Sequence, residues 1–333
     1  MIDVHTHVVP KHIPALVSGI EPRWPSVCSG GCNTSPHEPV ELATVTIAGK
    51  SFREIDHRSW DSDIRLADMD ATGIERQALS PMPELLSYWF SAEAGHEMCK
   101  WMNHTIANMV AEHPGRFSGL GIVPLQDPAL AAKVLTDIKS AGLAGVEIGS
   151  NINGFLLGDA RFEEFFAEVE RLDLSIFVHA LHPIGAERLE SFPDLIPFAA
   201  FPLDTALTAI SLIRAGVPER HPNLRLGFSH GGGAIVPLSH RLGQGANVTY
   251  NFSGTLSKRP IEYAAGFFYD NLVYDSGYMA YLANEFAPGQ FFCGTDYPYS
   301  IMETDPERVI NTASLLDEAS LRHGAAKRFL NIA

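Results

Sequence analysis

The chain has 333 residues, 46% of them hydrophobic and 19% charged, with a formal net charge of −15. That length and apolar content suit a large buried core, either two average domains or one α/β barrel. The acidic balance excludes a nucleic-acid-binding role, which needs clustered Lys and Arg, but leaves room for a small anionic substrate held by a few local arginines. Without about 20 uninterrupted apolar residues, a membrane span is not expected. With no signal-peptide pattern and only four cysteines, Cys28, Cys32, Cys99 and Cys293, the expected location is cytoplasmic, with free thiols.

In chain order, short β-branched or aromatic runs alternate with longer helical patterns. The strands are expected at Ile2–His7, Arg76–Pro81, Phe117–Pro124, Gly145–Gly149, Ser175–Ala180, Leu224–His230, Leu272–Ser276 and Phe291–Asp296. Eight such runs predict an α/β fold, a (β/α)8 TIM barrel in one domain over 1–333. Residues 10–60 break the rhythm and read as an insertion after strand one that covers the barrel mouth; within it "TVTIAGKSF" predicts a small hairpin turning at Ala48-Gly49. Between strands, Met98, Met102, Ile106, Met109 and Val110 mark a helical core stripe, and Asp127-Pro128 marks a helix start.

Polar groups collect at strand ends, where such barrels keep their chemistry. His5 and His7 are two residues apart, so alternation directs both into the barrel. His179 closes "SIFVHALHP", His230 closes "LGFSHGGG" and Asp296 closes "FFCGTDYP". One strand-end histidine is ordinarily a packed structural residue. Imidazoles and a carboxylate converging on one mouth are the ligand set of a zinc-like divalent ion with an open coordination position.

The H-x-H of strand one, the strand-five His, "SHGGG" and "GTDYP" resemble the amidohydrolase superfamily, and more narrowly the aminocarboxymuconate-semialdehyde decarboxylase family. The likeness extends through "SFRE", "WDSDIRLADMDATGIERQALSPMP", "RFSGLGIVPLQDP" and "AKRFLNI". It implies one zinc per chain, with Mn2+, Co2+ or Fe2+ as other candidates, held by His5, His7, His179 and Asp296. It implies that His230 is catalytic, activating the metal's water, and that Arg53 contributes to the active site. It further implies a homodimer in which Arg241 reaches the neighbouring subunit's site to hold a carboxylate.

The expected activity is therefore non-oxidative decarboxylation of a small unsaturated or aromatic acid, in catabolism of an aromatic ring. Asp296 is the candidate acid if carbon is protonated directly, and a hydratase or hydrolase acting on a ring-cleavage product is the alternative. No lysine lies between Lys139 and Lys258, so a carboxylated lysine cannot bridge two metals at strand four, and Glu147 reads as a packing or supporting group. Three departures from the family pattern bear on substrate. Thr249 in "GQGANVTY" stands near the place of a second carboxylate-binding arginine, "HAL" replaces "HPW" with His182 close by, and "CSGGCN" is new. They predict one anion-holding group fewer, and hence a substrate with one carboxylate fewer or a different pose.

Overall fold

A computed structural model describes residues 1–16, 23–34, 39–248 and 256–333. Thr249 and His37 lie outside the described residues, as does the side chain of Cys32. Strand β1 is Ile2–Val8. Three antiparallel strands follow in the insertion, β2 (Pro25–Thr34), β3 (Pro39–Ile47) and β4 (Lys50–Asp56). The expected hairpin is β3–β4: Ala48 and Gly49 both have positive φ, 53° and 72°, the conformation a tight two-residue turn requires. Strand β2, which carries "CSGGCN", was not foreseen.

The rest of the chain alternates. Helix α1 (Ser62–Ala71) leads to β5 (Arg76–Pro81), α2 (Ala92–Glu112) to β6 (Phe117–Gly121), and α3 (Pro128–Ser140) to β7 (Gly145–Gly149). A short hairpin, β8 (Asn151–Ile152) and β9 (Phe155–Leu156), and α4 (Glu163–Arg171) precede β10 (Ser175–His179). Helices α5 (Phe201–Arg214) and α6 (Val217–Arg220) precede β11 (Arg225–Phe228), and α7 (Ile235–Asn247) and α8 (Pro260–Ala264) precede β12 (Phe268–Asp270). Helix α9 (Ser276–Tyr281), β13 (Phe291–Phe292), α10 (Pro306–Thr312) and α11 (Ala325–Leu330) complete the chain. The sheet order β1-β5-β6-β7-β10-β11-β12-β13 is a parallel eight-stranded barrel. Bridges Asp3–Cys293 and Thr6–Tyr297 return the last strand region to β1.

Two strand expectations need correction. Strand seven is Phe268–Asp270, not Leu272–Ser276, because the Asp275 carboxylate accepts the Tyr278 N–H at 2.7 Å and starts α9 there. Strand eight forms a ladder only at Phe291–Phe292; Asp296 lies beyond it, tied to β1 by its N–H donating to the His5 carbonyl at 2.9 Å. As expected, Asp127 caps α3 by accepting the Leu130 N–H at 3.0 Å, and Asp61 caps α1 in the same way.

The stretch Ile196–Arg214 is as long and apolar as a membrane span, which the sequence reading did not single out. Its Ala206, Ala209, Leu212 and Ile213 are buried in the main core, as in a barrel's outer helix. A separate cluster fills the floor of the barrel, where Ile2, Val4, Phe177, Phe268 and Phe292 meet Phe329 of α11. Each such fully buried side chain contributes about 1.5–3 kcal/mol. Ile2 and Val4 point inward there, and so do His5 and His7 above them. That is possible because the β1–β5 register shifts between Asp3 and Thr6, a bulge that re-aims the strand. Arg65, wholly buried, braces the top of β1 by donating to the carbonyls of His7 at 2.6 Å and Arg58 at 3.0 Å.

Candidate metal centre and active site

His5 and His7 from β1, His179 from the end of β10 and Asp296 from the loop after β13 are all buried, and their ligand atoms lie within 4.8 Å of one another. The outer ring nitrogens fix the tautomers. His5 Nδ1 faces the Asp270 carboxylate at 2.7 Å, His7 Nδ1 the Pro81 carbonyl at 3.0 Å, and His179 Nδ1 the Ala180 carbonyl at 2.8 Å. Each Nδ1 therefore carries its proton, leaving a lone pair on every Nε2. Yet the Nε2 atoms of His5 and His7 face each other at 3.1 Å, and Asp296 Oδ1 stands 3.5 and 3.2 Å from them. His179 Nε2 and Asp296 Oδ1 have no hydrogen-bond partner among the described residues.

Acceptors facing acceptors in a buried space repel, and a shared cation removes the conflict. Ligand atoms about 2.0–2.2 Å from a tetrahedral ion are roughly 3.3–3.5 Å apart, close to the spacings seen. The four residues fit a divalent metal. Burial reinforces this by holding His5 and His7 down at about 3 and His179 well below its ordinary 6.5, so all three stay neutral and ready to ligate.

His230 follows β11 in a tight turn and is partly buried, its ring centroid 5.3 Å from that of His179. Burial lowers it to about 4, so it too is neutral. Its φ of +56° and the +62° of Asp296 are left-handed values uncommon for residues with a Cβ. The following Gly231, Gly232 and Gly233 continue in that region, with φ of 60°, 72° and 57°, where a side chain would also strike Val273, Tyr269 or the Pro202 carbonyl.

What holds His230 in this conformation is Asp270, a residue the sequence reading missed. One oxygen accepts His5 Nδ1–H at 2.7 Å and the His230 N–H at 2.9 Å; the other accepts from Gly231 at 2.7 Å and Leu272 at 3.2 Å. Burial raises its pKa above the ordinary 3.8, and these backbone donors oppose the rise. Misplacing strand seven hid it; "FFYD", an apolar run ending in Asp as at "CGTD", was the available signal.

A cavity of about 1040 Å3 opens above, with His179, His230 and Asp296 in its lining. Arg53, from β4 of the insertion, reaches it as expected and lies 4.2 Å above the Tyr299 ring, which stacks on His7. The Tyr299 hydroxyl is buried without a partner among the described residues, and burial pushes its pKa far above 10, so it remains a proton donor. Arg241 is exposed on α7 and does not line this cavity. Glu147 is fully buried with a strongly raised pKa, 3.9 Å from His7 Nδ1 and outside the four-ligand cluster. Ala180 and Leu181 of "HAL" line the cavity with His182 beside them, and its aromatic lining comes instead from Phe198, Phe201, Tyr274 and Tyr299.

Barrel and ligand cluster define a metal-dependent amidohydrolase. The amidohydrolase family model matches residues 2–331. A 2-amino-3-carboxymuconate-6-semialdehyde decarboxylase of Dictyostelium discoideum is 32% identical, covering 99% of this chain and 91% of the relative. The chain belongs to the amidohydrolase family and, within it, to the carboxy-lyase branch of the aminocarboxymuconate-semialdehyde decarboxylases. Among solved structures, 5-carboxyvanillate decarboxylase from Sphingomonas paucimobilis superimposes with a TM-score of 0.77 at 27% identity, over 83% of this chain and 85% of that one. A dihydroxybenzoic acid decarboxylase from Polaromonas sp. JS666, crystallised with manganese and 2-nitroresorcinol, gives 0.75 at 23% identity over 82% and 87% of the two chains, a likeness of fold.

Proposed function

We propose that the protein is a zinc-dependent non-oxidative decarboxylase of a small unsaturated or aromatic carboxylic acid, with Mn2+ as the chief competing metal because a fold neighbour holds it. The observation that carries this reading is the convergence of His5, His7, His179 and Asp296, with His179 Nε2 and Asp296 Oδ1 unpartnered among the described residues, beside a neutral His230 at the wall of a large cavity. When bound, the divalent cation supplies a Lewis acid and a water of lowered pKa.

The chain's own residues supply the rest. Arg53, stacked over Tyr299, offers a planar fork of donors to the substrate carboxylate or a developing oxyanion. The apolar lining, including Met82, Leu181, Phe198 and Leu272, desolvates the acid and orients its flat body. When the carbon–carboxylate bond breaks, CO2 departs and its bonding pair stays on carbon, which must then take a proton. His230, neutral and held in place by Asp270, accepts a proton and returns it at that stage; Asp296, beside the same space, is the alternative acid if carbon is protonated directly. Arg241, exposed on its own subunit, serves the site of a second copy in the proposed homodimer.

The test is CO2 release from a panel of aromatic and muconate-type acids by the zinc- and manganese-loaded protein. Metal-dependent CO2 release from at least one acid is expected. Conversion of a panel acid with its mass gained as water and no CO2 would refute the decarboxylase and establish a hydratase.

A further inference from the structure

The cavity carries a second built polar feature. Glu84, from the turn after β5, is only 5% exposed although it is a carboxylate lining an apolar cavity. Arg23 Nη2 donates to its Oε1 at 2.8 Å, and His182 Nε2 lies 2.9 Å from its Oε2. Trp89 backs the group, with the Arg23 guanidinium 4.0 Å from its ring centre and the His182 ring stacked at 4.9 Å. Among the described residues, none of the three polar side chains hydrogen-bonds the metal-type cluster.

Both Glu84 oxygens already face a donor nitrogen. Arg23 has five N–H donors, and only its Nη2 has protein partners among the described residues. The remaining guanidinium donors belong to a side chain 41% exposed, fixed in plane by Trp89 and in position by a buried carboxylate. A preorganised guanidinium whose other donors have no partner among the described residues, set on an apolar wall, is complementary to an oxyanion. The sequence reading counted one anion-holding group fewer because of Thr249; in three dimensions Arg23, distant in sequence from that position, puts one back from another side.

We propose that Arg23, positioned by Glu84 and His182, forms a subsite for a second carboxylate-class oxyanion on the substrate, separate from the carboxylate that is lost. The assignment rests on the acid-decarboxylase reading of the cavity and narrows its substrates to diacids. Arg23 is the binding group; Glu84 and His182 act through it.

The experiment measures binding rather than turnover. Benzoate, isophthalate and terephthalate are titrated calorimetrically into the metal-loaded full-length protein. The wild type is expected to bind at least one of the two diacids about tenfold more tightly than benzoate. Arg23→Gln should erase that preference while leaving benzoate within about threefold of wild type, and Glu84→Gln should reduce it in part. Unchanged benzoate binding serves as the control for folding.

A wild type that does not prefer either diacid overturns the proposal. So does an Arg23→Gln variant that weakens all three ligands equally, which would mark the cluster as a staple between insertion and barrel. Diacid preference without CO2 release from any panel acid would leave the subsite standing and remove the decarboxylase. CO2 release without diacid preference would do the reverse.

Discussion

Asp270→Asn is the substitution that most directly probes how this site is held. The carboxylate accepts four hydrogen bonds, from His5 Nδ1, His230 N, Gly231 N and Leu272 N. An asparagine keeps one oxygen, able to serve two of those donors, and turns an NH2 toward the other two. Two buried donors facing a donor, each worth about 1.5–3 kcal/mol when the acceptor is charged, give an expected loss of roughly 3–6 kcal/mol. For a chain of 333 residues that is a fall in midpoint of about 4–9 °C, read by thermal denaturation of the metal-free protein.

The same change releases the His5 tautomer and should weaken metal affinity about 10–100-fold, measured by competition with a chelator. Activity should then recover in part at high metal concentration, because the four ligands remain. An Asp270→Asn protein with wild-type midpoint and metal affinity within about twofold of wild type would refute the claim that Asp270 holds both histidines.

Further outcomes follow from the same geometry. Metal analysis should find about one divalent ion per chain, lost in His179→Ala and Asp296→Ala; two tightly held ions would contradict the four-ligand cluster. Arg53→Ala should lower kcat/KM about 100-fold, with Arg53→Lys recovering little, because a lysine cannot reproduce the planar fork; full activity in Arg53→Ala would remove that arginine from the site. Mixing Arg241→Ala chains with chains inactivated at Asp296 should restore activity by assembling intact sites across heterodimers. No recovery in verified heterodimers would end the shared-site proposal. Phe329→Ala, which empties a 0% exposed position against Phe177, Phe268 and Phe292, should cost about 3–5 kcal/mol in urea unfolding; a cost under 1 kcal/mol would show that the floor of the barrel closes over the gap.

The sequence by itself determined the barrel and singled out the four residues, His5, His7, His179 and Asp296, that the fold gathers into one buried cluster. Short runs set between helical patterns read as buried strands of a parallel sheet, so Arg76–Pro81 and Gly145–Gly149 are legible to the residue even with Gln77, Ser80 and Glu147 inside them. A polar group that ends such a run, His179 for instance, stands out because burying it needs a reason. The helix start at Asp127 is equally local, since capping involves only the next few amides.

The remainder depended on neighbours that no local pattern contains. The apolar "LVYDS" stretch looks like a strand, but Asp275 caps a helix there, and the ladder instead takes Phe268–Asp270. That shift of a few residues decides which aspartate reaches His5. The slip between Asp3 and Thr6 is likewise set by β5, and it allows Val4 and His5, adjacent in sequence, both to face the barrel interior. Arg23 met Glu84 and His182 only when the insertion folded onto loops 61 and 159 residues away along the chain. Tertiary structure decided these points because strand register and long-range ion pairs are properties of two segments together, whereas apolar period and capping belong to one.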